Sequence, residues 1–152
     1  MPDNVHGKPE HAYAGNLAVT AGGLLILICF TLPWIRDGDL SAVAVAANED
    51  VAQLALESLD LEGDHPRLFL RPLYMIPVLA VLCMALEWTV PPGAAGRVVA
   101  RVSLLITGTA LSTFFVFFGL RFGARLDYGF WGAMHGALFI TVGGVFNAFR
   151  RE

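Results

Sequence analysis

The side chains able to do chemistry away from water are few: His135, Glu87, Cys29 and Cys83 each lie within, or at the end of, a long uncharged stretch. An ionisable group at membrane depth is expensive and for that reason a functional candidate by default. His135 sits seven residues past Tyr128, about 10 Å along a helix at 1.5 Å per residue. Its neutral imidazole could ligate a metal, or the metal of a haem or chlorophyll, or touch a quinone or a proton relay. The bland alternative is a neutral His bonded to a hydroxyl or carbonyl nearby. No second intramembrane His is present, so a bis-His haem would need another chain or another copy. Glu87 counts about 21 Å from Leu73 on the same rise, near the far interface. A pair with Arg101 or Arg97 would neutralise its carboxylate and fix two helices together. His135 and Glu87 then differ in depth by about 11 Å and do not form one site. Cys29 and Cys83 belong to no Cys-x-x-Cys pair and read as small apolar residues.

What surrounds these residues sets the class. The chain has 152 residues, 56% apolar and 15% charged, against about 25% charged in ordinary soluble domains. No charge falls within 17–35, 72–86, 102–120 or 128–149. That pattern excludes a soluble domain, disorder and a disulfide scaffold. A net charge of −3 excludes nucleic-acid binding, which needs a basic surface. A spanning helix needs about 20 mostly apolar residues, and nothing alternates as barrel strands would. The expectation is an all-α integral membrane protein, a single membrane domain over 1–152. It would be a four-transmembrane-helix antiparallel bundle with spans at about 17–35, 72–90, 102–120 and 128–149. Residues 1–16, with Pro2 and Pro9, read as a polar, non-helical tail and not as a signal peptide.

The surface loop 36–71 carries eight acidic residues against three Arg. Within it Asn48 is placed to cap a short amphipathic helix, with Glu49 and Asp50 in its first turn and Gly63 at its end. Glu49, Gln53, Glu57 and Asp60 would share an acidic face, suited to solvent or to a soluble or membrane partner. Val51, Leu54, Leu59, Ala52 and Ala55 would supply the apolar contact. Pro91, Pro92, Gly93 and Gly96 read as a turn, and residues 121–127 as a short link. Trp34 and Trp131 would anchor one interface and Trp88 the other.

Helices associate in lipid where small residues let backbones approach. Gly132 with Gly136, and Gly119 with Gly123, are Gly-x-x-x-Gly steps, and Gly22, Gly23, Gly143 and Gly144 add flat surface. These close the bundle or meet another subunit. The third span is rich in rings, Phe114, Phe115, Phe117 and Phe118 with Phe122 beyond, and not all can face one helix. Lys and Arg tie at five per side, so the positive-inside rule decides nothing. The acidic loop is the easier one to export, which puts both termini in the cytoplasm. Arg far outnumbers Lys among an abundance of Ala, Gly and Val, as in GC-rich bacterial genes, so the expected location is a bacterial inner membrane.

No nucleophile with a base, paired carboxylates, metal-ligand spacing or phosphate loop is present. The expected function is therefore a non-catalytic accessory or structural subunit of a larger membrane complex, respiratory or photosynthetic complexes among the candidates. The lipid bilayer and other membrane subunits would be its partners. The alternatives are a small transporter or channel, and an anchor holding a haem or chlorophyll through His135. Trp131 stands where light-harvesting polypeptides carry Ala before their ligating His, so that resemblance fails. No cofactor is named by the residues alone.

Overall fold

Helices α1 (Glu10–Phe30), α4 (Pro66–Thr89), α5 (Ala94–Phe122) and α6 (Tyr128–Phe149) dominate the computed structural model, which describes residues 10–61, 66–89 and 94–149. Between α1 and α4 lie a small hairpin, β1 (Pro33–Ile35) with β2 (Leu40–Ser41), and two short helices, α2 (Ala42–Ala47) and α3 (Glu49–Ser58). Three segments, within α4, α5 and α6, are long and apolar enough to cross a membrane, and Ala14–Phe30 of α1 is a shorter apolar helix. The chain therefore has the make-up of a helical membrane protein.

α6 has the bounds expected of it, and α5 begins eight residues before the expected 102. Gly96, read as part of a turn, lies in the first turn of α5, while Pro91, Pro92 and Gly93 fall outside the described residues, as does Val90. The first apolar segment differs most. Helix α1 starts at Glu10, immediately after Pro9, so residues 10–16 are helical and not tail. It stops at Phe30, five residues before the expected end. Pro33 has no amide hydrogen and disfavours helix at Leu32, so the last turn closes at Leu32 on the Cys29 carbonyl, 3.2 Å. The apolar run continues past the helix because Trp34 and Ile35 of β1 are buried in the core, each 5% exposed.

Contacts between α1 and α6 are the most extensive, followed by α5 with α6 and α1 with α4; α4 and α5 touch lightly. α1 and α6 run antiparallel and meet through small residues. A Cβ added to Gly22 would lie 2.5 Å from the Gly136 carbonyl oxygen, and one on Gly136 would lie 2.6 Å from that of Gly22. One turn pair away, Gly143 faces the Gly15 carbonyl at 2.7 Å, and Gly129 faces that of Pro33 at 2.5 Å. Gly132 abuts the Cys29 sulfur. The Gly119–Gly123 step has another use: it seats the Trp131 indole, 3.3 Å and 3.6 Å from where their Cβ atoms would be. Gly144 packs on α5 at Leu105, and Gly23 receives Met84 of α4. Gly22, Gly23, Gly132, Gly136, Gly143 and Gly144 thus each meet a neighbouring helix of this chain.

The segment 33–61 closes over one end of the long helices. Gly38 and Asp39, at φ +88° and +52°, make the hairpin turn. Leu126 bridges to Ile35 on the other side, supported by Arg36 N to Arg125 O at 3.0 Å and Asp127 N to Trp34 O at 2.9 Å. Ser41 caps α2, an element the sequence reading did not contain, by accepting from Ala44 N at 3.2 Å. Asn48 caps α3 as expected, accepting from Asp50 N at 2.9 Å. α3 ends at Ser58, not at Gly63, which lies outside the described residues. Asp60 adopts φ +58°, the Leu61 amide donates to Leu56 O at 2.9 Å, and the Asp60 amide donates to Glu57 O at 3.0 Å. This is a Schellman closure with Asp in the place glycine usually takes. Ala52, Ala55, Leu56 and Leu59 form the buried stripe; Leu54, expected to share it, is 53% exposed, because its position falls between Glu57 and Ser58, off that stripe.

Two predictions follow from this packing. Gly136→Val drives two carbons into a backbone carbonyl and should cost about 3 kcal/mol, whereas Gly123→Ala, in ordinary contact, should leave thermal unfolding in detergent unchanged. Arg125 donates to Ser58 O at 3.0 Å and lies 3.8 Å from Asp60. Because both groups are substantially exposed, Arg125→Ala should cost only about 1 kcal/mol. It should nonetheless speed limited proteolysis within 36–61 while the long helices stay intact.

Candidate functional site

Two places hold the polar groups that the spans could not afford without a purpose. The first is at the end opposite the hairpin. Glu87, near the end of α4, accepts a hydrogen bond from Asn147 Nδ2 of α6 at 2.9 Å. Arg97 and Arg101 from α5, with Asn16 from α1, line the same cavity of about 150 Å³. Four long helices thus each contribute a polar side chain. Asn147 is only 6% exposed, and Gly15 of α1 lies where a side chain would strike its amide. Helix geometry brings these groups together: Arg97 and Arg101 are four residues apart and share a face.

The expected meeting of Glu87 with Arg97 and Arg101 is therefore a convergence of all three on one cavity. What the sequence reading missed is Asn147 as the partner of Glu87. It was noted only as one polar residue of the fourth span. The signal was available in the pairing of Gly15 with the end of an antiparallel α6. Beside the cluster Trp88, 66% exposed, donates its indole N–H to Thr20 Oγ1 at 3.1 Å, and Thr20 in turn donates to Asn16 O at 2.9 Å.

The second place is His135. It lies on the exposed side of α6, and its Nδ1 is 2.7 Å from the Trp131 carbonyl four residues before. A carbonyl oxygen only accepts, so Nδ1 carries the proton and Nε2 carries the lone pair. The ring is thus held by its own helix, with Nε2 not engaged by that bond. His135 is not among the residues that line the Glu87 cavity.

The remaining candidates are structural. Cys29 and Cys83 are buried free thiols. Trp34 sits at the hairpin end with Trp131, while Trp88 is at the other. Trp34 is a core residue, however, with its indole donating to Cys29 O at 2.8 Å. Its ring packs on Phe30, Phe115 and Phe130 at centroid distances of 5.7, 5.6 and 5.6 Å. Of the third-span rings, Phe115 is fully buried and Phe117 is 66% exposed. Two span hydroxyls close on each other and on a helix: Ser112 with Thr141 at 2.9 Å, and Thr141 with Ala137 O at 3.0 Å. Among the described residues no three His, Cys, Asp or Glu side chains gather as a metal site would need.

No family model, curated protein or solved structure matches this chain. Its site is read from its own chemistry alone.

Asn147→Leu would leave the Glu87 oxygen without its buried donor. The expected cost is about 2 kcal/mol, read as a lower melting temperature in detergent; no change would mean that the amide contributes nothing to the cluster.

Proposed function

We propose that the chain is a four-span membrane protein acting as a non-catalytic subunit of a larger membrane complex. In this reading α1, with Ala14–Phe30 apolar, crosses the bilayer alongside α4, α5 and α6 as an antiparallel bundle. Polar residues at its start and the hairpin at its end would occupy the two interfaces. The chain would lie in a bacterial inner membrane with both termini in the cytoplasm and the acidic cap 33–61 outside.

The observation that carries the reading is how the polar groups are used. Glu87 and Asn147 bond to each other, and Ser112 and Thr141 do the same, all between helices of this chain. They lock the packing of α4 on α6 and of α5 on α6. Meanwhile α5 turns Val98, Val99, Ile106, Phe117 and Leu120 outward, each more than half exposed, as a surface for lipid or for neighbouring subunits. The outer face of α3, with Glu49, Gln53 and Glu57 exposed, is a second place for a partner to dock. A transporter is the alternative of a different class, and it would need polar contacts continued through the middle of the spans.

One observation favours an added role. His135 is exposed and holds Nε2 as a lone-pair donor, the arrangement a haem or chlorophyll metal requires of an axial ligand.

Purification from the native membrane in mild detergent tests both readings on one peak. Stoichiometric companion polypeptides are expected by mass spectrometry. A Soret or near-infrared band that His135→Leu abolishes would add the cofactor role. A colourless peak without companions would overturn the subunit reading and bring the transporter forward.

A further inference from the structure

Three spaces at the hairpin end of the molecule are linked through shared walls. Between α4 and α5 runs an open groove of about 800 Å³, lined by Pro72, Ile76, Leu79, Ala110, Leu111 and Phe114 among others. Pro72 and Phe114 are also walls of a chamber of about 80 Å³ beneath the cap, which Trp34, Val45 and Leu59 complete. That chamber's lining is wholly apolar. Leu59 in turn borders a polar recess of about 330 Å³ formed with Asp60, Arg121, Phe122 and Arg125.

The order of these spaces matches the bilayer. Arg101 and Arg121 are twenty residues apart on α5, about 30 Å at 1.5 Å per residue, which is about the thickness of the hydrocarbon core. Arg121 therefore marks the headgroup level on the cap side. Ala110, eleven residues earlier, lies about 16 Å deeper, close to the midplane. The groove thus runs from near the midplane towards the cap and adjoins the apolar chamber at Pro72 and Phe114, and the chamber adjoins at Leu59 the recess that holds two guanidiniums and one carboxylate. Arg125 is already held by Asp60 at 3.8 Å and by Ser58 O at 3.0 Å. Arg121 lies exposed over the Phe122 ring, 5.4 Å from its centroid. The recess has an excess of one positive charge among its described residues.

We propose that groove, chamber and recess form one site for an anionic phospholipid of the cap-side leaflet. One acyl chain lies between α4 and α5 and reaches the chamber past Pro72 and Phe114. The phosphate sits at Arg121, beside Arg125. The charge excess selects the anionic headgroup, and the apolar walls select a hydrocarbon chain over any polar ligand. The proposal rests on the chain lying in a bilayer and not on its being a subunit: a preparation without companion polypeptides would leave this site standing.

Trp34 reports on the chamber from within. With Trp88→Phe and Trp131→Phe it becomes the sole tryptophan of the three. This protein is placed in phosphatidylcholine vesicles containing a minor fraction of phosphatidylglycerol or phosphatidylcholine brominated along the acyl chain. Brominated phosphatidylglycerol should remove most of the Trp34 emission at a fraction where brominated phosphatidylcholine removes little. Arg121→Gln should bring the two curves together, and added inorganic phosphate should relieve nothing. Equal quenching by both lipids would overturn the proposal, as a gap that merely fills with bulk lipid. So would no quenching by either, the result expected if a partner helix covers the groove, and so would relief by phosphate, which would make the recess a site for a free oxyanion. Should the tryptophan replacements loosen the fold, native mass spectrometry of the unsubstituted protein decides: retained phosphatidylglycerol in excess of phosphatidylcholine supports the site, and equal retention overturns it.

Discussion

The close approach of α1 and α6 is the constraint on which the other contacts depend. In lipid there is no hydrophobic gain from bringing two apolar helices together, so association relies on dispersion and on backbones that can come near each other. Gly15, Gly22 and Cys29 on one helix, and Gly129, Gly136 and Gly143 on the other, recur every seven residues. Two turns of helix return each to the same face. At the centre Gly22 and Gly136 each direct a Cα towards the other's carbonyl oxygen, so a side chain on either would meet backbone that cannot move aside. The rest of the helices attach to this pair. α4 reaches it through Met84 on Gly23, and α5 through Gly108 on Thr141 and through the seat for Trp131. Since α4 is held by α1 and α5 by α6, neither is required to pack on the other, and the gap between them follows from that division.

The same pair fixes the cap. Pro33 ends α1 where Gly129 opens α6, and the hairpin strand is laid directly on the first turn of that helix. Trp34 then enters the space between the helix ends and donates to the last-turn carbonyl of Cys29, satisfying a group that Pro33 has removed from the helical ladder. Farther out, Arg125 meets the final carbonyls of α3, where a cation is favoured by the helix dipole. Tyr74 donates to Ala46 O at the end of α2, 2.5 Å away. The acidic segment is thus fastened at its helix termini, and its carboxylates are left on the outer face.

How much of this was legible depends on whether the signal was local. The bounds of α6 could be read because Asp127 and the run of apolar and small residues coincide with the helix itself. The Asn48 cap was readable for the same reason: the bond from the Asp50 amide spans two residues. The end of α1 was misplaced because hydropathy cannot distinguish apolar residues of a spanning helix from apolar residues of a buried strand, although Pro33 marked the break. The end of α3 was misplaced because Asp60 takes a conformation usually left to Gly, with Arg125, a residue distant in sequence, beside it. Within the polar cluster, charge and depth sufficed to bring Glu87 and the two Arg together. Asn147 required knowing which residue of an antiparallel α6 stands opposite Gly15. Likewise the role of Gly119 and Gly123 as a seat for one indole depends on the tertiary position of Trp131.

These placements bear on function through what a passage across the membrane would require. A polar solute crossing about 30 Å of hydrocarbon needs partners at successive depths, since each unsatisfied polar group there costs several kcal/mol. Among the described residues the charged groups gather at one end of α4 and α5, in a cavity of about 150 Å³, and the cap holds those of the other end. Between them Ser112 bonds to Thr141, and Thr141 also donates to its own helix at Ala137. Opening a path there would break bonds that hold α5 to α6 and would offer a solute two hydroxyls in exchange. The polar groups are more useful where they are, fixing which helix faces meet. The large apolar surfaces of α4 and α5 remain turned outward. The proposed subunit role would use that division, with specificity set by internal packing and an exterior that is apolar along α4 and α5.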